Sequence, residues 1–274
     1  MSAGATTGDP ATEYVDVDGA RIAYRVLGST DAPALLLVHG GAAHSGWWIR
    51  VAPVLAERHR VVLVDLSGHG RSDHREAYGA AQWAAELAAV LKASTDSPAA
   101  LVGHSMGGLV AAAAAARHPE LVESLVLVDS RLPLRELAPP TPTVRLYVSA
   151  EAALDRFRLL PARTVADGAL LREVASAGLT RADGGWRWRF DPAARRRLTN
   201  DGLRADLARV RCPVGYVYGA ESDMGGPDSL AELERWLGRT VMSVSVEGAF
   251  HHVPLDQPVA CARWVEEVLA VLGG

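Results

Sequence analysis

The run Ala99–Val102 is apolar and stops abruptly at Gly103-His104-Ser105-Met106-Gly107, and an alanine-rich stretch, Leu109 to Arg117, follows at once. An apolar run, a glycine-flanked turn and a run of helix formers read as strand, tight turn, helix. The spacing is Gly-x-Ser-x-Gly, in which a sharp turn lifts a serine hydroxyl above the end of a strand. The glycines have a steric purpose, because the backbone passes too closely for side chains on either side of Ser105. The helix that follows aims its free N–H groups at the serine, where they face any negative charge formed there.

The same rhythm runs through most of the chain. Glu13 to Val26 alternates apolar and polar around Asp18-Gly19, which predicts two antiparallel strands joined by a hairpin. Ala34–Val38, Val61–Val64 and Leu125–Val128 are continuous apolar runs, as expected of strands buried on both faces. Helices are predicted over Trp47–Arg58 and Ala77–Ala93, the latter from the spacing of Trp83, Leu87, Val90 and Leu91. Two more strands, Val214–Tyr218 and Val241–Val246, precede a closing amphipathic helix, Val259–Leu272. Strands alternating with helices predict an α/β fold: a mostly parallel eight-stranded sheet with helices on both faces.

The rhythm breaks at Arg131. Pro133, Pro139, Pro140 and Pro142 mark a linker, Tyr147–Val174 carries helical patterns, and Trp186–Phe190 alternates as a short extended piece at most. The expected organisation is a core of residues 1–130 and 205–274 with an inserted helical lid, residues 131–204. Loops at the carboxyl ends of parallel strands build the site. That gathers His39-Gly40-Gly41, Ser105, Asp129 and Gly219–Asp223 at one edge, beneath the lid.

Composition narrows the function. The 274 residues carry a net charge of −4, which argues against nucleic acid, and no apolar run approaches membrane-spanning length. Residues 1–12 show no apolar signal segment, so a cytoplasmic protein is expected. Cys212 and Cys261 are read as packing residues, no metal-ligand spacing occurs, and no cofactor is implied. Charge is nevertheless uneven: Arg131 to Arg204 holds 14 arginines against 8 acidic residues, a segment suited to attracting an anionic small-molecule substrate.

A serine hydroxyl needs a base to take its proton, and the late segment Val246–Leu255 supplies His251 and His252. With these residues placed, the chain resembles the α/β-hydrolase fold family over nearly its whole length. The loop Asp65-Leu66-Ser67-Gly68-His69-Gly70-Arg71-Ser72 is similar to a second signature of that family and is read as scaffold. The resemblance implies His251 as base, since Gly248, His251 and Pro258 keep the family's spacing, with Phe250 in place of a second glycine. It implies backbone N–H donors for an oxyanion at Met106 and Gly41. The acid has two candidate places. Asp129 stands at the end of one strand, and Asp223 lies one residue beyond the usual slot, which holds Ser222; the resemblance favours Asp129, with Asp223 as the alternative.

Trp47, Trp48, His104, Trp186 and Trp188 are candidate pocket residues, each with core packing as the competing role. The expected activity is serine-dependent hydrolysis of a carboxylic ester or lactone of a small, largely apolar substrate, with carbon–carbon hydrolysis close by. The alternative is a non-hydrolytic use of the same pocket, as a cyclase or dehydratase of a polyketide-like substrate or as a ligand receptor.

Overall fold

A computed structural model describes residues 11–135, 143–195 and 197–273. Residues 1–10, and Pro139, Pro140 and Pro142 of the expected linker, lie outside them. In chain order the first elements are β1 (Glu13–Val17), β2 (Ala20–Leu27), β3 (Ala34–Val38), α1 (Ala52–Leu55), β4 (Arg60–Val64), α2 (Ala80–Ser94), β5 (Ala99–His104), α3 (Met106–Arg117) and β6 (Val122–Val128). Then come α4 (Ala150–Leu154), α5 (Gly168–Ala177), β7 (Leu179–Ala182), β8 (Gly185–Trp188) and α6 (Asn200–Leu207). The chain closes with β9 (Val214–Gly219), α7 (Pro227–Leu237), β10 (Met242–Val246), α8 (Val253–Asp256) and α9 (Pro258–Leu272).

Eight strands form one sheet in the order β1-β2-β4-β3-β5-β6-β9-β10. β1 and β2 pair antiparallel, as do β2 and β4, and every later neighbour is parallel. The central strands have no polar face because both faces are covered. In β3, Leu36 and Val38 join a core with Trp83, Leu87, Leu203 and Trp236, while Leu35 and Leu37 join another with Leu55, Val265 and Val268. Period-two alternation therefore feeds two cores from one apolar run.

Two local expectations change. Trp47–Arg58 is not one helix: a 3₁₀ turn over Ser45–Trp48 is followed by the short α1. The His44 imidazole accepts from the Gly46 N–H and starts the turn, and Pro53 opens the separate α1. Trp186–Phe190 is not an isolated extended piece, because Trp186 and Trp188 lie in β8, paired antiparallel with β7 across Asp183-Gly184. Gly184 takes a positive φ of 86°, a turn signal the sequence displays. Among its described residues, the insertion between β6 and β9 is thus three α-helices and a hairpin rather than wholly helical.

Candidate active site

β5 ends at His104 and α3 begins at Met106, leaving Ser105 alone in the turn with a positive φ of 53°. The flanking glycines are sterically enforced. A Cβ on Gly103 would lie 2.4 Å from the Gly107 carbonyl, and one on Gly107 would lie 2.3 Å from the His39 carbonyl oxygen. The turn is fastened by Ser105 N–H donating to Val128 O at 2.8 Å and by the Ser130 hydroxyl donating to Ser105 O at 2.8 Å. Strain at Ser105 is held by neighbours that leave the backbone no alternative.

Ser105 opens into a cavity of about 1160 Å³ that is also lined by Gly41, Met106, His104, His251 and His252. A Cβ on Gly41 would stand 3.5 Å from Met106 Sδ, so the two loops meet beside the serine. Met106 opens α3, and its N–H has no acceptor within the helix.

His251 Nδ1–H donates to Asp129 Oδ2 at 2.6 Å, and both side chains are buried. Asp129 is fully buried and itself adopts a positive φ of 49° at the end of β6. Its carboxylate also accepts from Gly219 N–H at 3.0 Å, Ser222 Oγ–H at 2.7 Å and Gly225 N–H at 3.2 Å. With the His251 contact, these donors satisfy the buried carboxylate's hydrogen-bonding capacity. Asp223 is exposed, and its backbone carbonyl, not its carboxylate, is engaged, by Arg131. The reason is the loop after β9: Ser222 turns inward to Asp129, which carries Asp223 outward.

The neighbouring histidines differ from His251 in their partners. His104 Nε2–H donates to the His251 carbonyl at 2.8 Å, and His252 Nε2–H donates to the Pro161 carbonyl at 2.8 Å. Burial, with His251 close by, pushes His104 well below the usual imidazole range and His252 down to about 4. A carbonyl dipole does far less for an imidazolium than a carboxylate. One ring nitrogen from each of these three histidines lies within 4.8 Å of the others. Residues 147 positions apart make this cluster, so sequence spacing does not reveal it. Imidazoles anchored through their second nitrogen are a donor set a borderline divalent cation could use.

The expected aromatic wall is partly corrected. Trp47 lines the cavity, with its ring 5.5 Å from His252 and 6.5 Å from His104. Trp48 does not: it is 1% exposed and packs with Leu35, Leu37 and Leu55 on the far face of the sheet. The 3₁₀ turn puts these adjacent side chains on different sides. Trp186 and Trp188 also miss the cavity. Trp188 lines an adjoining cleft against Phe157, and Trp186, next to the hairpin turn, lies under the Arg181 guanidinium. Phe250 packs beneath Arg163, 4.4 Å from its guanidinium. The sequence alone does not single out Ser222 and Gly225 as supports of the Asp129 carboxylate; the signal available is the serine in the slot where an aspartate is usual.

Residues 33–258 match the family model of the α/β hydrolase fold. An esterase of Mycobacterium tuberculosis is 34% identical over 272 residues, covering 95% of this chain and 89% of that protein. A 2-(acetamidomethylene)succinate hydrolase of Mesorhizobium japonicum is 31% identical, covering 86% and 88%. The solved thioesterase domain from the curacin biosynthetic pathway superposes with a TM-score of 0.81 at 27% identity, covering 94% of this chain and all of that one. An uncharacterised Mycobacterium bovis protein is 39% identical over 122 residues, and there the match spans only 35% of the relative.

Proposed function

The chain belongs to the α/β hydrolase fold family, and from that premise we propose that it is a serine hydrolase of carboxylic esters or lactones, using Ser105, His251 and Asp129. The observation that carries the reading is the 2.6 Å contact from His251 to Asp129, in the same cavity as a serine held on a strained turn. Esterase relatives support the reaction class.

Ser105 Oγ attacks the carbonyl carbon while its proton passes to His251 Nε2. The tetrahedral oxyanion rests on the N–H groups of Gly41 and Met106, at the N-terminus of α3. The imidazolium gives its proton to the leaving oxygen, and the acyl–oxygen bond breaks to leave an acyl-enzyme. Water then attacks the acyl carbon, its proton goes to His251, and Ser105 regains a proton as the acid departs. Asp129 stabilises the imidazolium at both stages and fixes its tautomer through Nδ1, which leaves Nε2 free to act as the base. The insertion 131–204 acts as the cap, because Phe157, Leu159 and Leu198 from it line the cavity with Leu109 of the core, an apolar wall for an acyl chain.

The test is hydrolysis of a panel of p-nitrophenyl esters and lactones by wild type and Ser105→Ala, with intact mass spectra after fluorophosphonate treatment. Turnover and a single adduct, both lost in the variant, are expected. Folded protein that gives neither turnover nor adduct overturns the proposal and favours cyclisation or ligand binding in the same pocket.

A further inference from the structure

A second cleft, of about 500 Å³, adjoins the Ser105 cavity. Six arginines line it: Arg145, Arg156, Arg158, Arg187, Arg189 and Arg195. No aspartate or glutamate is among its described lining residues. A third surface cavity shows that this is not the general state of the molecule. That cavity, of about 870 Å³, mixes Arg60 and Lys92 with Asp31, Asp96 and Glu123.

None of the six takes part in an ion pair among the described residues. Four of them contact rings or backbone carbonyls. Arg145 lies over Tyr147 at 5.3 Å and Arg195 over Phe190 at 5.9 Å. Arg158 donates to the carbonyls of Asp155 and Phe157, and Arg189 Nε–H donates to that of Leu179. These contacts orient the planar guanidinium groups without neutralising them. A concentration of positive charge in a protein of net charge −4 is costly unless an anion occupies it. One carboxylate is satisfied by one bidentate guanidinium, so six arginines indicate an anion of higher charge. Phosphate, with its several oxygens and double charge, matches that geometry.

The cleft is continuous with the Ser105 cavity, because Ala42, Ala43, Trp47, Phe157, Leu160 and Phe190 line both. We infer that the arginine cleft holds a phosphate-bearing portion of the substrate, so that the acyl group reaching Ser105 arrives on a phosphorylated alcohol or thiol carrier. The inference rests on the reading of Ser105 as nucleophile. The apolar walls near Ser105 take the acyl chain, and the arginines take the carrier. The chemistry is the step already given. The acyl–oxygen or acyl–sulfur bond breaks, the acyl–Ser105 bond forms, and the serine proton leaves with the carrier through His251.

The experiment compares one acyl chain on three carriers: hexanoyl-coenzyme A, hexanoyl-4′-phosphopantetheine and hexanoyl-pantetheine. The two phosphorylated thioesters are expected to exceed the unphosphorylated one in kcat/KM by about tenfold or more, through KM, with the advantage shrinking as salt rises. An advantage shared by both assigns a single phosphate; one confined to the coenzyme A ester assigns the nucleotide phosphates. Arg156→Gln with Arg187→Gln is expected to bring all three to the same kcat/KM. Equal kcat/KM for all three in wild type overturns the inference. Calorimetric titration with coenzyme A and with pantetheine separates the two readings. Coenzyme A binding without turnover of any ester keeps the cleft and sinks the serine hydrolase; p-nitrophenyl ester turnover with no coenzyme A or 4′-phosphopantetheine binding does the reverse.

Discussion

Asp129 and the arginine cleft are opposite solutions to the placement of charge. Asp129 is fully buried on the sheet edge, and four donors from β9, its loop and His251 converge on it. The arginines of the cleft are exposed or half-buried and unpaired with any described carboxylate, and Arg145, Arg158, Arg189 and Arg195 rest on rings or carbonyls. The first arrangement is complete without a ligand and cannot move far, as a group that must hold one tautomer of His251 requires. The second is incomplete by itself, as a surface that recognises an anion requires. On the proposed function, chemistry belongs to the core and selection to the insertion.

The sharpest way to break that contrast is at the core. Ser105→Ala or His251→Gln is expected to lower kcat about 10⁴-fold or more with the fold intact, checked by p-nitrophenyl ester kinetics and circular dichroism. Asp129→Asn is expected to cost about 10⁴-fold in kcat, because the imidazole loses its tautomer and its counter-charge. Asp223→Asn is expected to change kcat less than about twofold; the opposite pattern would move the acid to the β9 loop. Next come the two adjacent tryptophans. Trp48→Ala is expected to lower stability by about 3–5 kcal/mol in denaturant titration, since it empties a core site. Trp47→Ala is expected to raise KM with a smaller loss of stability, because that ring faces the cavity.

A stability effect of similar size to the tryptophan one concerns pH. Burial pushes His39 and His252 down to about 4, whereas an unfolded histidine titrates near 6.5. The unfolded chain therefore binds protons first as pH falls. The stability from keeping these rings neutral is fully present above pH 6.5 and is lost between 6.5 and about 4, by about 3 kcal/mol per ring. Thermal melts should fall across that window, and His252→Gln should flatten the fall. A flat profile in wild type would show that these rings are not kept neutral by the fold.

Ser105, His251, Gly41 and Met106 are legible in the chain because their signals are local: a pentapeptide turn, a late histidine at fixed spacing, a short glycine loop after a strand. The acid is legible only as a choice between Asp129 and Asp223. Ser222 in the usual aspartate slot carries the answer, but its meaning appears only when its hydroxyl is seen on Asp129, 93 positions away. The β7–β8 hairpin displays Asp183-Gly184, yet the sequence reads only as a short extended piece over Trp186–Phe190, since its strands are four residues each.

By itself the sequence determined the α/β architecture, since unbroken apolar runs such as Ala34–Val38 can be buried only between two helical layers. It also determined the strained turn at Ser105, because only glycine at 103 and 107 allows the backbones to pass. Tertiary structure alone decided that Asp129 partners His251, that Trp47 and Trp48 part company, and that six dispersed arginines line one cleft. Backbone sterics act between neighbours and are written in short motifs, whereas charge, packing and hydrogen bonding act through space between residues that only the folded chain brings together.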